Sequence, residues 1–326
     1  MRYLITGGAG FIGSHFVRRL LSDGYPWLPG GEVVVVDRLT YAGNLANLAP
    51  VIDDPRLEFA EGDLCDLALV DKVMHGVRTV VHFAAESHVD RSIDGGLEFV
   101  RTNVLGGYTL FDAARRHGVD TCVSVSTDEV YGSIDAGSWP EDHPLDPTSP
   151  YSASKAAGDL LARALFHTHG FPVTIVRSSN NYGPYQHPEK LIPLFVTNLL
   201  DGRKVPLYGD GGNVREWTFV DDHCRAIALA AHRGRAGHVY NVGSGHTMTN
   251  REVTDLLLRL LDHDRSMVEY VEDRKSHDRR YSLDSGKIAA ELGFRPATSF
   301  ADGLAQTVRW YSENRAWWAP LKSAPR

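Results

Sequence analysis

Arg2-Tyr3-Leu4-Ile5-Thr6-Gly7-Gly8-Ala9-Gly10-Phe11-Ile12-Gly13 opens the chain. Arg2–Thr6 reads as a short strand, and Ile12, Phe16, Val17, Leu20 and Leu21 follow at helical spacing. Between the two stand Gly7, Gly10 and Gly13. Glycines there allow a tight turn and let backbone N–H groups approach a pyrophosphate, which the helix N-terminus favours. Glycines also serve ordinary turns, so it is the strand–turn–helix context that carries the reading. Val33–Asp37 then reads as a buried strand ending on an acid. An acid at that site can accept from both ribose hydroxyls and would repel a 2′-phosphate, which favours NAD over NADP. Arg38 is the counter-signal, because an arginine can pair with that phosphate. Asp63, in Glu61-Gly62-Asp63-Leu64, reads either as an adenine contact or as a strand-ending cap. Ala84, Ala85 and Ser87 close the fourth strand, and small residues there let a cofactor backbone lie close.

The alternation continues through the first half. Leu57–Gly62, Thr79–Ala84, Thr121–Ser126 and Pro172–Arg177 read as strands, and Glu98–His117 and Tyr151–Gly170 as helices. Strands and helices joined by short links indicate a parallel sheet covered on both faces, a Rossmann-type doubly wound α/β fold. Beyond Asn180 the texture changes, with Pro184, Pro188, Pro193, Pro206, Gly209, Gly211 and Gly212 close together. A smaller α/β substrate-binding lobe is expected to begin there. Phe219–Arg233, a short strand and a helix, and Gly237–Val242 are expected to return to the sheet. The division is therefore 1–178 plus about 218–244 for the dinucleotide domain, and about 179–217 plus 245–326 for the second lobe. Ser22–Gly31 reads as an exposed loop with little bearing on chemistry.

Composition is that of an ordinary globular chain: 326 residues, 43% hydrophobic, 23% charged, net charge −7. No long basic run suggests a nucleic-acid polymer as partner. Cys65, Cys122 and Cys224 show no C-x-x-C spacing, which argues for a reducing compartment and against a zinc site. The N-terminal segment turns glycine-rich too early for a signal peptide, and no run of roughly eighteen apolar residues suggests a membrane span. The expectation is a cytoplasmic protein without a membrane partner. His82, in a buried strand, reads as a satisfied core histidine. His223 and Cys224 lack metal spacing, so no metal is expected.

The chemistry concentrates after Val123 and Val125, in Thr127-Asp128-Glu129-Val130-Tyr131-Gly132, and at Tyr151 and Lys155. Tyr151 and Lys155 are four apart at the start of a helical pattern and share a face. A tyrosine with a pKa of about 10 is a poor base at neutral pH. A nearby ammonium and an oxidised nicotinamide stabilise its phenolate, so Tyr151 can take a proton from a sugar hydroxyl. Thr127 can share that hydrogen bond, or satisfy its own backbone. Asp128 and Glu129 would ordinarily be a solvated strand end. Open parallel sheets, however, carry their sites at the C-terminal ends of strands. Consecutive strand residues point to opposite faces. Both acids can meet one substrate only if the strand stops near Thr127 and the chain curls.

At these residues the chain resembles the extended short-chain dehydrogenase/reductases, and within them the dTDP-glucose 4,6-dehydratases. The likeness spans essentially the whole chain. It is carried by the glycine loop, Leu39–Asn44, Ala84–Ser92, Thr127–Gly132, Tyr151–Lys155, Ser179–Pro184, Arg215-Glu216-Trp217 and Arg274–Tyr281. The glycine loop and Tyr-x-x-x-Lys belong to the superfamily, whereas Thr-Asp-Glu is specific to the dehydratases. The resemblance implies a redox-neutral reaction on bound NAD, with Tyr151 acting at C4, Glu129 removing the C5 proton and Asp128, kept protonated, acting on the C6 hydroxyl. It implies cofactor contacts from Gly7, Gly10, Phe11, Ile12, Gly13, Asp37, Thr40, Asp63, Leu64, Ala84, Ala85, Ser87, Thr102, Tyr151, Lys155 and Asn181. Substrate contacts would come from Ser87, Thr127, Asn180, Lys190, Leu191, Pro206, Tyr208, Arg215, Asn250, Arg274, His277 and Tyr281. Arg215 and Arg274 suit a diphosphate through their guanidinium forks. A homodimer through helices near 98–117 and 151–169, packed as a four-helix bundle, is also implied. Two other readings use the same fold: a nucleotide-sugar 4-epimerase, which leaves Asp128 and Glu129 unexplained, and a catalytically silent NAD-binding regulator.

Overall fold

The β-branched runs of the first half pair as parallel neighbours in a computed structural model that describes residues 1–273 and 277–323. The strands in chain order are β1 (Arg2–Thr6), β2 (Glu32–Asp37), β3 (Leu57–Glu61), β4 (Thr79–His82), β5 (Thr121–Thr127), β6 (Val173–Ser178) and β7 (Asn180–Tyr182). β8 (Val205–Tyr208), β9 (Val214–Phe219), β10 (Val239–Val242), β11 (Thr247–Thr249) and β12 (Val268–Val271) complete the set. The helices are α1 (Phe11–Leu21), α2 (Leu67–Val73), α3 (Val89–Phe99), α4 (Gly107–Arg116), α5 (Pro150–His169), α6 (Leu191–Leu200) and α7 (Val220–Arg233). They continue with α8 (Asn250–Leu260), α9 (Gly286–Leu292), α10 (Phe300–Glu313) and α11 (Arg315–Ser323).

The large sheet has 7 strands in the order β10-β6-β5-β4-β1-β2-β3, every pair parallel. Strand residues alternate between two cores. Tyr3, Ile5, Val33, Val35, Val123 and Val125 face a layer built from Phe16, Val17, Val220 and Ile227. Leu4, Val34, Val36 and Cys122 face the opposite layer, with Met74, Leu110, Phe111 and Leu165. Both faces are covered, which is why these strands read as continuous apolar runs. Strand order reverses between β1 and β4, and such a switch point opens a crevice at the carboxyl ends of the strands.

The second lobe holds a sheet β11-β9-β7 and a pair β12-β8. Its core includes Phe195, Trp217, Leu257, Leu304, Tyr311 and Trp318. Ile288, Leu292 and Phe294, on and after α9, pack instead into the core of the large sheet.

Three expectations need correction. The strand before α7 does not return to the large sheet: β9 pairs with β7 and β11, while α7 packs on α1 and β5. Ser22–Gly31 is not a plain exposed loop. Tyr25 is buried with its ring 5.1 Å from that of Phe16, and Pro29 O accepts a 2.7 Å bond from the Tyr3 hydroxyl. The helical segment ahead of β5 begins at Val89 rather than near Glu98, and contains a π-helical stretch, Val100–Gly106. Gly95, with φ −137° and ψ 46°, interrupts the helix and hid its first turns from the periodicity.

The glycine loop makes its own case. A Cβ on Gly7, whose φ is +68°, would lie 2.6 Å from Ala84 N, and one on Gly13 would lie 2.2 Å from Gly7 O. We expect Gly13→Ala to destabilise the fold by about 1–3 kcal/mol, because no flexible side chain can yield. A thermal midpoint equal to that of the parent would contradict this.

Candidate active site

β5 ends at Thr127, which keeps extended geometry (φ −137°, ψ 153°), and Asp128–Tyr131 follow as one turn of 3-10 helix. The Thr127 hydroxyl caps that turn, accepting from Glu129 N–H at 3.2 Å and donating to Asp128 Oδ1 at 3.2 Å. Gly132 closes it at φ +79°, where a Cβ would lie 2.6 Å from Asp146 O. The strand therefore stops where the chemistry requires. Across from it, α5 starts on a capping box between Ser149 and Ser152 with Pro150 in its first turn. This start places Tyr151 and Lys155 one turn apart beside β5.

Tyr151 is hydrogen-bonded to Thr127, and its pKa is raised, first by burial and next by the charge of Glu129. The Lys155 ammonium donates to Val125 O at 2.7 Å, and burial lowers its pKa. Asp128 is 2% exposed, and its Oδ2 has no hydrogen-bond partner among the described residues. Burial, then Glu129 and Glu216, hold its pKa well above the usual carboxylate range. A carboxyl shifted in this direction is biased toward its protonated, proton-donating form.

The dinucleotide side lies at the switch point. Gly10 caps α1 without a side-chain bond, so the first-turn N–H groups around Phe11 and Ile12 remain for an anion. Asp37 is buried, accepting from Ala9 N–H and Leu39 N–H at 2.9 Å each, one on either oxygen. Each oxygen keeps a lone pair for a ribose hydroxyl. Arg38 is committed to Glu98 and lies 3.5 Å from Asp63, so it already has carboxylate partners of its own. Asp63 does what a cap does: it accepts from Cys65 N–H at 2.9 Å and pairs with Arg101 at 3.2 Å. Thr40 is hydrogen-bonded to Glu86, Leu64 is buried, and Ala84 meets Gly7. Buried oxygens of Thr102, Ser126, Asn180 and Asn181 have no hydrogen-bond partner among the described residues. Cradle and orphaned acceptors together fit NAD.

The second lobe delivers the remaining residues. Lys190, preceding Leu191 at the start of α6, donates to Ser87 O at 3.0 Å and so links the lobes. Arg215 on β9 lies 4.3 Å from the centre of the Tyr281 ring and donates to Val214 O and Asp278 O. Pro206 and Tyr208 lie on β8, and the Tyr208 ring is edge-on to His277 at 6.2 Å. Asn250 is buried at the start of α8. Arg274 lies outside the described residues. His82 is buried, with Nδ1 2.7 Å from Thr6 Oγ1.

Glu216 is the residue the sequence reading passed over. It is 1% exposed and accepts from Gly245 N–H at 2.7 Å and Leu283 N–H at 2.9 Å. Its charge acts on Asp128. A carboxylate between Arg215 and Trp217 looks like one more charged strand residue, and nothing local marks it as buried.

A family model described as GDP-mannose 4,6 dehydratase matches residues 4–307. A dTDP-glucose 4,6-dehydratase of Streptomyces griseus is 60% identical over 321 residues, covering 98% of this chain and 97% of that protein. One from Streptomyces niveus is 56% identical over 323 residues, covering 99% and 96%. DesIV, a dTDP-glucose 4,6-dehydratase of Streptomyces venezuelae solved with NAD bound, superposes with a TM-score of 0.98 at 64% identity, covering 98% of this chain and 100% of that one. A UDP-glucose 4-epimerase of Thermotoga maritima superposes with a TM-score of 0.89 at 31% identity, covering 97% and 100%.

The raised pKa of Asp128 has a stability signature. A carboxyl with a folded pKa above its unfolded value of about 3.9 contributes fully below that value, and the contribution is lost as pH rises toward the folded pKa. Asp128→Asn should therefore be more stable than the parent at pH 8, with the gap closing as pH falls toward 4. Thermal midpoints of both across that range check this. A gap that is constant, or widens toward acid, would mean Asp128 is ionised in the native state.

Proposed function

The chain belongs to the dTDP-glucose 4,6-dehydratases, NAD-dependent members of the short-chain dehydrogenase/reductases, and on that premise we propose which of its residues carry each step. The reaction converts dTDP-glucose to dTDP-4-keto-6-deoxyglucose and water. Bound NAD supplies the acceptor for the C4 hydride, the donor that returns it to C6, and positive charge that opposes the rise in the Tyr151 pKa.

Tyr151 takes the C4 hydroxyl proton, with Thr127 sharing the hydrogen bond and Lys155 supplying nearby positive charge. The C4 ketone then acidifies the C5 hydrogen. Glu129 removes that proton while Asp128 gives its own to the C6 hydroxyl, which leaves as water. Glu129 returns a proton to C5 at the end. One base and one acid on adjacent carbons are what β-elimination needs, and the Tyr/Lys pair alone cannot serve both ends. The observation that carries this assignment is the capped turn at Thr127, which sets two successive carboxyls beside Tyr151. A 4-epimerase would leave buried Asp128 without a task.

Gly7, Gly10, Gly13, Phe11, Ile12, Asp37, Thr40, Asp63, Leu64, Ala84, Ala85, Ser87, Thr102 and Asn181 would hold the dinucleotide. Arg215, beside Tyr281, would meet the diphosphate, with Asn180, Lys190, Leu191, Pro206, Tyr208, Asn250 and His277 around the nucleotide sugar. We assign 1–178 plus about 218–244 to the cofactor domain and about 179–217 plus 245–326 to the substrate lobe, with α9 packed back on the former. A homodimer through the helices near 98–117 and 151–169 is supported by exposed apolar Val100, Leu105 and Leu160 on those segments. A cytoplasmic setting rests on the three unpaired cysteines.

Incubation with dTDP-glucose and, separately, UDP-glucose, read by mass spectrometry, tests the assignment. Loss of water from dTDP-glucose without stoichiometric release of reduced nicotinamide is expected. Tyr151→Phe should bind the sugar nucleotide yet form no reduced nicotinamide absorbance. A C4 epimer formed without water loss would establish the epimerase reading, and NAD-loaded protein inert to both sugars the regulator reading.

A further inference from the structure

Arg177 lies on β6 with 1% of its surface exposed, in the interior of the large domain. Its Nε donates to Asp159 Oδ2 at 2.8 Å, and Asp159 is 2% exposed. One terminal nitrogen donates to the Tyr131 hydroxyl at 2.8 Å, and the guanidinium carbon sits 4.8 Å from the Tyr131 ring centre. The Tyr131 hydroxyl donates in turn to Asn241 Oδ1 at 2.9 Å. Asn241, on β10, is itself held: its Nδ2 donates to Trp139 O at 2.8 Å and its N–H to Glu141 Oε1 at 2.9 Å.

Two members of this chain of bonds matter. Asp159 belongs to α5, one turn beyond Lys155 and two beyond Tyr151. Tyr131 is the last residue of the turn that carries Asp128 and Glu129. Val130 and Tyr131 of that turn pack with Ala156 of α5 in one small core, and Val130 O accepts from Asp146 N–H at 3.0 Å, but the turn's own polar ties are few. The Thr127 cap secures one end, and Gly132 N–H to Glu129 O, at 3.3 Å, secures the other. A buried ion pair is a weak source of stability, and one terminal nitrogen of Arg177 has no hydrogen-bond partner among the described residues, so the contribution open to this pair is to geometry. Arg177 also neutralises Asp159, the buried carboxylate nearest along α5 to Lys155.

We infer that Arg177 is a positioning residue that, through Asp159 and Tyr131, holds the elimination acids at a set distance from Tyr151. This rests on the assignment of Tyr151, Asp128 and Glu129 made above. The three groups act on C4, C5 and C6 of one sugar ring, so the turn and α5 must keep the spacing of adjacent carbons. Misplacement of a reacting group by about 1 Å can cost roughly 10²-fold in rate.

Two variants of the NAD-loaded enzyme test it. Tyr131→Phe removes one hydroxyl and keeps the ring and the Arg177–Asp159 pair. The double variant Arg177→Met, Asp159→Asn removes the pair without leaving a lone buried charge. With dTDP-glucose, water loss should slow about 10- to 100-fold while KM stays near that of the parent. Oxidation at C4 should persist, so a larger steady-state share of the enzyme should show reduced nicotinamide absorbance. The inference is overturned if both variants show a lowered thermal midpoint with the parent's share of reduced nicotinamide and the parent's rate per folded molecule. A parent enzyme that fails to dehydrate dTDP-glucose at all overturns the underlying assignment, and the inference with it.

Discussion

A β-strand presents successive side chains to opposite faces, yet this site needs two successive carboxyls directed at one substrate. The molecule resolves that conflict by ending β5 at Thr127 and coiling the next four residues into a single turn. Much of the surrounding structure serves that turn. The Thr127 hydroxyl caps it, and Gly132 takes a positive φ of 79° to leave it. Val130 O accepts from Asp146 N–H at 3.0 Å, which presses the following loop against it. Tyr131 reaches inward to Arg177 and Asn241. The parallel sheet beneath contributes a rigid edge, and its C-terminal ends place this turn beside the start of α5.

Burial does different work at each titratable group. It pushes Asp128 up and so prepares an acid from the protein alone, aided by Glu129 and Glu216. It also pushes Tyr151 up, against the task of a base, and Glu129 adds to that rise. Lys155 bonds to the Val125 carbonyl rather than to the phenol, and burial lowers its pKa. The protein alone therefore biases Asp128 toward its acid form, whereas the base draws on the positive charge that would accompany NAD. Oxidation precedes elimination in the proposed sequence, and this asymmetry ties the first step to the presence of oxidised cofactor.

The large sheet was legible because its strands are buried on both faces and read as unbroken apolar runs. The glycine loop was legible because three glycines at a strand–helix junction have few other uses. The curl after Thr127 could be required from the alternation rule, although its form as a capped turn is set by the fold. The rest was hidden for physical reasons. β9 reads as a strand wherever it pairs, and no local signal says that its neighbours are β7 and β11 rather than β10. α3 was masked by Gly95 and Gly96, which look like a loop. Tyr25 sits among turn residues, so its burial against Phe16 depends on a contact the sequence does not display. Glu216, Asp159 and Arg177 are charged residues on a strand or helix, and burial alone separates them from solvated ones.

The proposed elimination stands on the two carboxyls of the turn, and the double variant Asp128→Asn, Glu129→Gln tests it most directly. Loaded with NAD and given dTDP-glucose, it retains Thr127, Tyr151 and Lys155. Reduced nicotinamide absorbance should appear and persist, while water loss falls by at least about 10²–10⁴-fold. Water loss at the parent's rate would contradict the account and leave Asp128 and Glu129 as a structural strand end.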